Sequence, residues 1–122
     1  MERIDHRLTL DVTRPGSQGR LYVRAGDADA HRLYVLLRMG AEKFTLSPDM
    51  SIKARARNET GVVSEYDCST SEGAAVWDIP SAAIGPSGTL ECELYVASSG
   101  GAHFITPRFD VIVDGAIGGG VG

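Results

Sequence analysis

The sequence is poor in the features that mark membrane-spanning and nucleic-acid-binding proteins. It contains no apolar run of roughly 18 residues, the length that a transmembrane helix requires. Its 12 Lys and Arg residues are outnumbered by 16 Asp and Glu residues, which gives a formal charge of −4. A dedicated nucleic-acid-binding protein usually needs a basic surface to neutralise phosphates. We therefore predict no membrane-spanning segment and no nucleic-acid partner.

Cysteine is also scarce, because Cys68 and Cys92 are the only two and allow at most one disulfide bond. The charged amino-terminal stretch 1–7 lacks the apolar segment of a secretory signal. We therefore expect synthesis in the cytosol, where thiols stay reduced, and we favour free thiols over a disulfide. The order Cys68, Trp77, Cys92 differs from the immunoglobulin pattern, in which the second cysteine lies far beyond the tryptophan. Both thiols are predicted to be small core-facing side chains.

The sequence also lacks the motifs of catalysis and cofactor binding. No glycine-rich phosphate loop, nucleophile elbow or pair of catalytic carboxylates is present, so we predict no enzyme and no cofactor. Asp27, Asp29 and His31 alternate in one loop and have the residue types of metal ligands. We favour the alternative that they solvate a turn, and predict no metal site. His6 and His103 are interpreted as isolated histidines.

What the sequence does contain is a hydrophobic period of two residues, most sustained near its end. Leu90, Cys92, Leu94 and Val96 alternate with polar or larger side chains, which is typical of a strand buried on one face. The pattern predicts a long hairpin of Thr89–Ser98 and Ala102–Asp114, joined by a turn that contains two glycines. Two such strands are unstable alone, so the rest of the chain must cover their apolar face.

The remaining strands are short and are separated by turn signals. A chain of 122 residues forms one domain, which we predict at 1–114, followed by a glycine-rich tail or linker at 115–122. We predict an all-β, antiparallel β-sandwich of about eight to nine short strands, immunoglobulin-like in architecture. A single helical turn is predicted at Ser81–Ile84. The further predicted strands are Ile4–Val12, Leu21–Val23, Arg32–Met39 (central and covered on both faces), Lys43–Leu46, Ser51–Arg57, Val62–Cys68 and Ala75–Ile79.

One strand carries the only candidate site residues. Lys53, Arg55 and Arg57 form a positive stripe on one face of the strand Ser51–Arg57, while Ala54 and Ala56 lie on the other face. The stripe has two interpretations: a solvated face that discourages pairing with other sheets, or a contact surface for an acidic partner. The small alanines indicate that a bulky side chain lies opposite them, and Trp77 is the candidate.

The order of several motifs resembles that of a known family. Arg24-Ala25-Gly26-Asp27 precedes the strand Leu33–Leu37, and the strand Met50–Arg57 precedes the turn Asn58-Glu59-Thr60-Gly61. Two later stretches continue the likeness: Pro80–Leu94 leads into the penultimate strand, and Ile105–Val113 matches the closing strand. In this order the motifs resemble the N-terminal domain of upper baseplate proteins of Gram-positive siphophages.

The resemblance implies a structural protein of the virion, made in the cytoplasm of the bacterial host. Such domains are β-sandwiches that seat on the baseplate hub, and longer members continue into a helical segment that forms trimers and carries receptor-binding proteins. The implied partners are the hub and the receptor-binding protein, and the family has no catalytic residues to carry over. This sequence ends in glycines at Gly122 without the trimerising segment, so homo-oligomerisation of the chain itself stays open.

A second hypothesis is a carbohydrate-binding or adhesive β-sandwich. It requires exposed aromatic side chains clustered on one face, and the available tyrosines are Tyr22, Tyr34, Tyr66 and Tyr95. A third hypothesis, a small enzyme, requires a pocket with convergent titratable groups. The sequence patterns offer none, and we therefore favour the baseplate component.

Overall fold

The computed structural model describes residues 3–115, which form ten β-strands and no helix. The all-β prediction is confirmed. The predicted tail at 115–122 lies outside the described residues, apart from Gly115. The strands are β1 Ile4–Asp11, β2 Ser17–Arg24, β3 His31–Met39, β4 Glu42–Phe44, β5 Ser51–Arg57, β6 Val63–Ser71, β7 Ala74–Ile79, β8 Gly88–Ala97, β9 His103–Ile105 and β10 Arg108–Asp114.

The strands form a nearly closed sheet in the order β1-β3-β7-β6-β5-β8-β10-β2, with β4 beside β3 and β9 beside β8. Strand β6 joins the two layers, because its residues 63–68 pair with β5 and its residues 69–71 pair with β7. The predicted antiparallel arrangement has two exceptions: β1 pairs parallel with β3, and β2 pairs parallel with β10. The hydrophobic period could not reveal them, since it reports which face is buried and is the same for either strand direction.

The final hairpin is present and its predicted burial is confirmed. Leu90, Cys92, Leu94 and Val96 are all buried in the core, at 8% exposure or less. The predicted return strand is interrupted at Thr106, where one extra residue stands opposite β8 and shifts the register between β9 and β10. Such a bulge bends the strand and increases its twist.

The side chain of Thr106 replaces the hydrogen bonding that the bulge disrupts. The Leu94 N–H donates to Thr106 Oγ1 at 2.9 Å, and the Thr106 N–H donates to the Leu94 carbonyl at 2.9 Å. The Thr106 hydroxyl in turn donates to the Pro107 carbonyl at 3.0 Å. A buried threonine thus keeps the main chain of β8 paired where a proline follows and the regular ladder fails.

Trp77 lies in the same buried cluster as Ala54 and Ala56, as their small size indicated. Its ring is 5.9 Å from the ring of Tyr66, which is paired across the strands with Ala54. The indole is 1% exposed, and its Nε1 has no hydrogen-bond partner among residues 3–115. Small residues on β5 therefore leave room for two aromatic rings in the core.

Three local predictions differ from the structure. The strand predicted at Leu21–Val23 is longer and covers Ser17–Arg24, because parallel pairing with β10 extends it on both sides. The segment Ser81–Ile84 forms turns and no helix: the Ala83 N–H bonds to the Pro80 carbonyl and the Ile84 N–H to the Ser81 carbonyl. Strand β3, which was predicted to be covered on both faces, is buried on one face and only partly covered on the other.

Candidate functional site

The predicted stripe Lys53, Arg55 and Arg57 lies on the outer face of β5 and is paired with acidic side chains of both neighbouring strands. Strand register places Asp67 opposite Lys53, Glu65 opposite Arg55 and Glu91 opposite Arg57. The ion-pair distances are 3.3 Å from Lys53 Nζ to Asp67 Oδ1, 2.7 Å from Arg55 Nε to Glu65 Oε2 and 2.9 Å from Arg57 Nη2 to Glu91 Oε1.

Further contacts hold the stripe in place. The Arg55 guanidinium carbon lies 4.6 Å from the centre of the Tyr95 ring, and its Nη1 is 3.9 Å from Glu93 Oε2. Arg108 approaches Glu91 from β10 at 3.6 Å. An acidic partner would have to displace these carboxylates before it reached the cations. The interface at the stripe stays a prediction. In the structure, cations of β5 alternate with carboxylates of β6 and β8, and we call this arrangement the charge lattice.

The interpretation of His6 as an isolated residue was wrong. His6 Nε2 is 2.9 Å from His31 Nδ1, and His31 Nε2 is 2.6 Å from Asp27 Oδ2. Parallel pairing of β1 with β3 brings the two histidines together, a contact that a sequence separation of 25 residues did not suggest. Burial, followed by repulsion from His31, lowers the pKa of His6, and the hydrogen bond from His31 lowers the pKa of the Asp27 carboxyl.

The loop residues Asp27, Asp29 and His31 do not converge on one point. Both ring nitrogens of His31 are engaged, one by Asp27 and one by His6. The Asp27 carboxylate also accepts the Arg24 N–H at 3.1 Å, and Asp29 has a positive φ of 55°. Residues 3–115 contain no group of three or more His, Cys, Asp or Glu side chains suited to hold a metal ion. Within this loop the acidic side chains shape a turn.

Both cysteines are free thiols. Cys92 is fully buried and faces Ala56 and Phe109 across its two neighbouring strands, whereas Cys68 is half-buried opposite Ile52. Burial raises the pKa of each thiol to about 12. At neutral pH both sulfurs are therefore protonated and lack the nucleophilic character that a reactive cysteine needs.

A cavity of about 200 Å³ opens at the end of the sheet where β5 ends and β8 begins. We call it the end cavity. Its walls come from the turn at 58–62 and the connection at 80–88, with side chains of β6 and β10 behind them. The lining combines apolar side chains with hydroxyl, amide and carboxylate groups, including Ala56, Asn58, Glu59, Val62, Ser64, Tyr66, Ala82, Pro86, Thr89, Leu90 and Val113.

Comparison with solved structures identifies a similar fold. The N-terminal domain of ORF48 of phage TP901-1 superposes with a TM-score of 0.68, at 19% sequence identity, over 90% of this chain and 98% of that domain. The chain has the fold of that phage domain. No protein-family model and no curated protein matches the sequence. The fold that the resemblance implied from the order of the motifs is confirmed.

The tyrosines are not gathered on one face, as a carbohydrate-binding sheet would require. Tyr22 is 55% exposed on β2, whereas Tyr34 is covered by Arg7, whose guanidinium carbon is 4.6 Å from the ring centre. Tyr66 packs towards the core, and Tyr95 lies between Arg55 and His103. The described part of the chain also includes no helix long and apolar enough to cross a bilayer.

Sequence reasoning missed the end cavity and the histidine pair. The turn Asn58-Glu59-Thr60-Gly61 was recognised only as a turn, because nothing in those four residues shows that the connection at 80–88 lies beside them. The spacing of His6 and His31 gave no signal either, since parallel partners can be any distance apart in sequence. Both features are products of strand order.

Proposed function

We propose that this chain is a structural component of a phage or prophage tail baseplate, in which it docks the receptor-binding device onto the baseplate hub. The observation that carries the proposal is the match of nearly the whole chain to the N-terminal domain of a phage protein. The order of motifs, which resembles the upper baseplate family, supports the same role. The proposal assigns no catalysis, cofactor or nucleic acid to the chain.

The proposed partners are the hub and the receptor-binding protein, and the proposed location is the virion. The surface chemistry is compatible with assembly into a protein complex: charged outer faces are largely paired within the chain, and exposed apolar residues are confined to a few positions. The carbohydrate-binding alternative is not proposed, since the tyrosines are dispersed over the sheet.

The proposal is tested on phage particles. Tail particles are purified from the strain that encodes the chain, and their proteins are quantified by mass spectrometry. We expect the chain in fixed ratio to the hub and receptor-binding proteins, and we expect a tagged copy to co-purify with the hub. Particles that contain the hub but lack this chain would contradict the proposal.

A further inference from the structure

The carboxylate of Glu59 lies at the wall of the end cavity. Glu59 belongs to the turn that follows β5, and its Oε1 occupies the space that a side chain at Gly88 would need. Gly88 has a φ of 147°, which also favours glycine there. No ion pair joins Glu59 to any cation of residues 3–115, whereas Glu65 and Glu91, on the two strands beside β5, are both paired. The edge of the cavity therefore carries an exposed carboxylate that no cation of residues 3–115 neutralises.

Apolar surface surrounds this carboxylate. Val62 lines the cavity and is 57% exposed. Ala82 and Pro86 contribute further exposed apolar atoms on the opposite side. An apolar patch next to an unpaired charge is typical of an interface, where burial of the patch supplies affinity and the charge supplies specificity.

The lining also includes hydroxyl groups, which can accept as well as donate hydrogen bonds. The Tyr66 and Ser64 hydroxyl groups lie on β6 behind the turn, and both side chains contribute to the lining. A cavity of about 200 Å³ is smaller than the roughly 300–1,000 Å³ sites of drug-sized ligands but far larger than the ~30 Å³ of one water. Its size suits one long side chain.

We propose that the end cavity receives an arginine side chain of a partner protein. The inference rests on the proposed docking function. The guanidinium would form a two-pronged pair with the Glu59 carboxylate, and the alkyl stem would pack on Val62 and Ala82. Arginine matches a carboxylate with a planar fork of donors and tolerates partial burial better than lysine. It is also among the residues that most often dominate binding energy at interfaces.

The test uses NMR titration of the full chain with Nα-acetyl-arginine methylamide. Three probes are compared with it. The norleucine equivalent carries an alkyl chain without charge, and the glutamate equivalent carries the opposite charge. Methyl glucoside carries a sugar ring. We expect millimolar binding of the arginine probe alone, with the largest shifts at Glu59, Val62 and Tyr66. Equal binding of the norleucine probe, or preferential binding of the glucoside, would overturn the proposal.

Two variants and one control locate the site. Glu59→Gln should weaken arginine binding at least about fivefold, roughly 1 kcal/mol, and Ala82→Trp should block the cavity mouth. The control Glu42→Gln removes an exposed carboxylate from β4 and should leave binding unchanged. Equal losses in Glu59→Gln and Glu42→Gln would contradict a local site. Circular dichroism establishes that each variant is folded.

Failure of this inference and failure of the proposed function have different signatures. A chain that assembles into tail particles but ignores the arginine probe would refute only the arginine pocket. A chain that binds the probe but is missing from particles would refute the baseplate role. Glu59→Gln in the particle assay connects the two, since we expect its incorporation to fall while that of Glu42→Gln does not.

Discussion

The side-chain amide of Gln18 forms two hydrogen bonds with the main chain of Asp11. The Asp11 N–H donates to Gln18 Oε1 at 2.7 Å, and Gln18 Nε2 donates to the Asp11 carbonyl at 3.0 Å. Strands β1 and β2 are the two ends of the sheet order, and they share no ladder of main-chain bonds. The glutamine amide therefore substitutes for a peptide group and joins the two edges that would otherwise leave the sheet open.

Replacement of Gln18 should loosen this junction. Gln18→Ala removes both bonds to Asp11 and a third from Nε2 to the Arg14 carbonyl at 2.9 Å. With about 1 kcal/mol for each net hydrogen bond, we expect a loss of about 1–3 kcal/mol in the free energy of unfolding, measured by urea denaturation. Ser17→Ala, which removes one long exposed bond to Asp110, is the control and should change stability by less than about 0.5 kcal/mol.

The histidine pair should make stability depend on pH. The pKa of His6 is lowered from 6.5 in the folded chain, so the unfolded chain takes up a proton first as the pH falls. Stability should therefore be greatest above about pH 7 and decline as the pH falls below 6.5. The lowered pKa of Asp27 adds a second decline at pH values below 3.8, its ordinary pKa.

Thermal unfolding from pH 8 to 3 checks this behaviour. His6→Asn should flatten the profile between pH 7 and 5 and leave the acidic decline in place. His103→Asn is the matched control, because His103 is exposed and stacks on Tyr95 away from the pair. A His6→Asn profile parallel to that of the parent between pH 7 and 5 would contradict the assignment.

Gly73 is expected to be important for the stability of the fold, for two separable reasons. Its φ of 83° disfavours any other residue, and a Cβ there would lie 2.8 Å from Thr45 Cγ2. Gly61 has a similar φ of 89° with no atom near the Cβ position. Gly61→Ala should lower the free energy of unfolding by about 1–2 kcal/mol from backbone strain alone, and Gly73→Ala should lower it further. Adding Thr45→Ser, which removes Cγ2, should return the Gly73 variant to the level of Gly61→Ala.

The charge lattice should be measurable as coupling within individual pairs. A double-mutant cycle on Arg55 and Glu65 should give about 0.2–1 kcal/mol, and the more exposed pair Lys53 and Asp67 should give less. Both couplings should shrink at 1 M NaCl, where the screening length is about 3 Å. If the cations are hydrated independently of the carboxylates, the cycle will show no coupling energy at low salt.

The two thiols should be unreactive in the folded chain. Because burial raises their pKa to about 12, almost no thiolate exists at pH 8. We expect Ellman's reagent to modify the native protein at least about tenfold more slowly than the chain unfolded in guanidinium chloride. Of the two thiols, Cys92 should react more slowly, since it is fully buried. The Cys68→Ser variant isolates its rate. Rapid labelling of native Cys92 would show that β8 opens.

Much of the fold could be predicted because local patterns report local facts. Alternation along β8 identified its buried face, and glycine with proline marked the turns around it. The small alanines of β5 anticipated a large neighbour in the core. The stripe of Lys53, Arg55 and Arg57 was identified as exposed cations, but the acidic residues that pair with them were not assigned, since they lie on two other strands.

By itself, the sequence determined the all-β class, the buried face of strands such as β8, and the sign of the charge on each ionisable side chain. Only the tertiary structure decided that β1 pairs in parallel with β3 and β2 with β10, that His6 meets His31, and that Glu59 lines a cavity with no ion-pair partner among residues 3–115. The reason is physical: a period of two tells which way a side chain points, whereas strand order and direction tell what it meets.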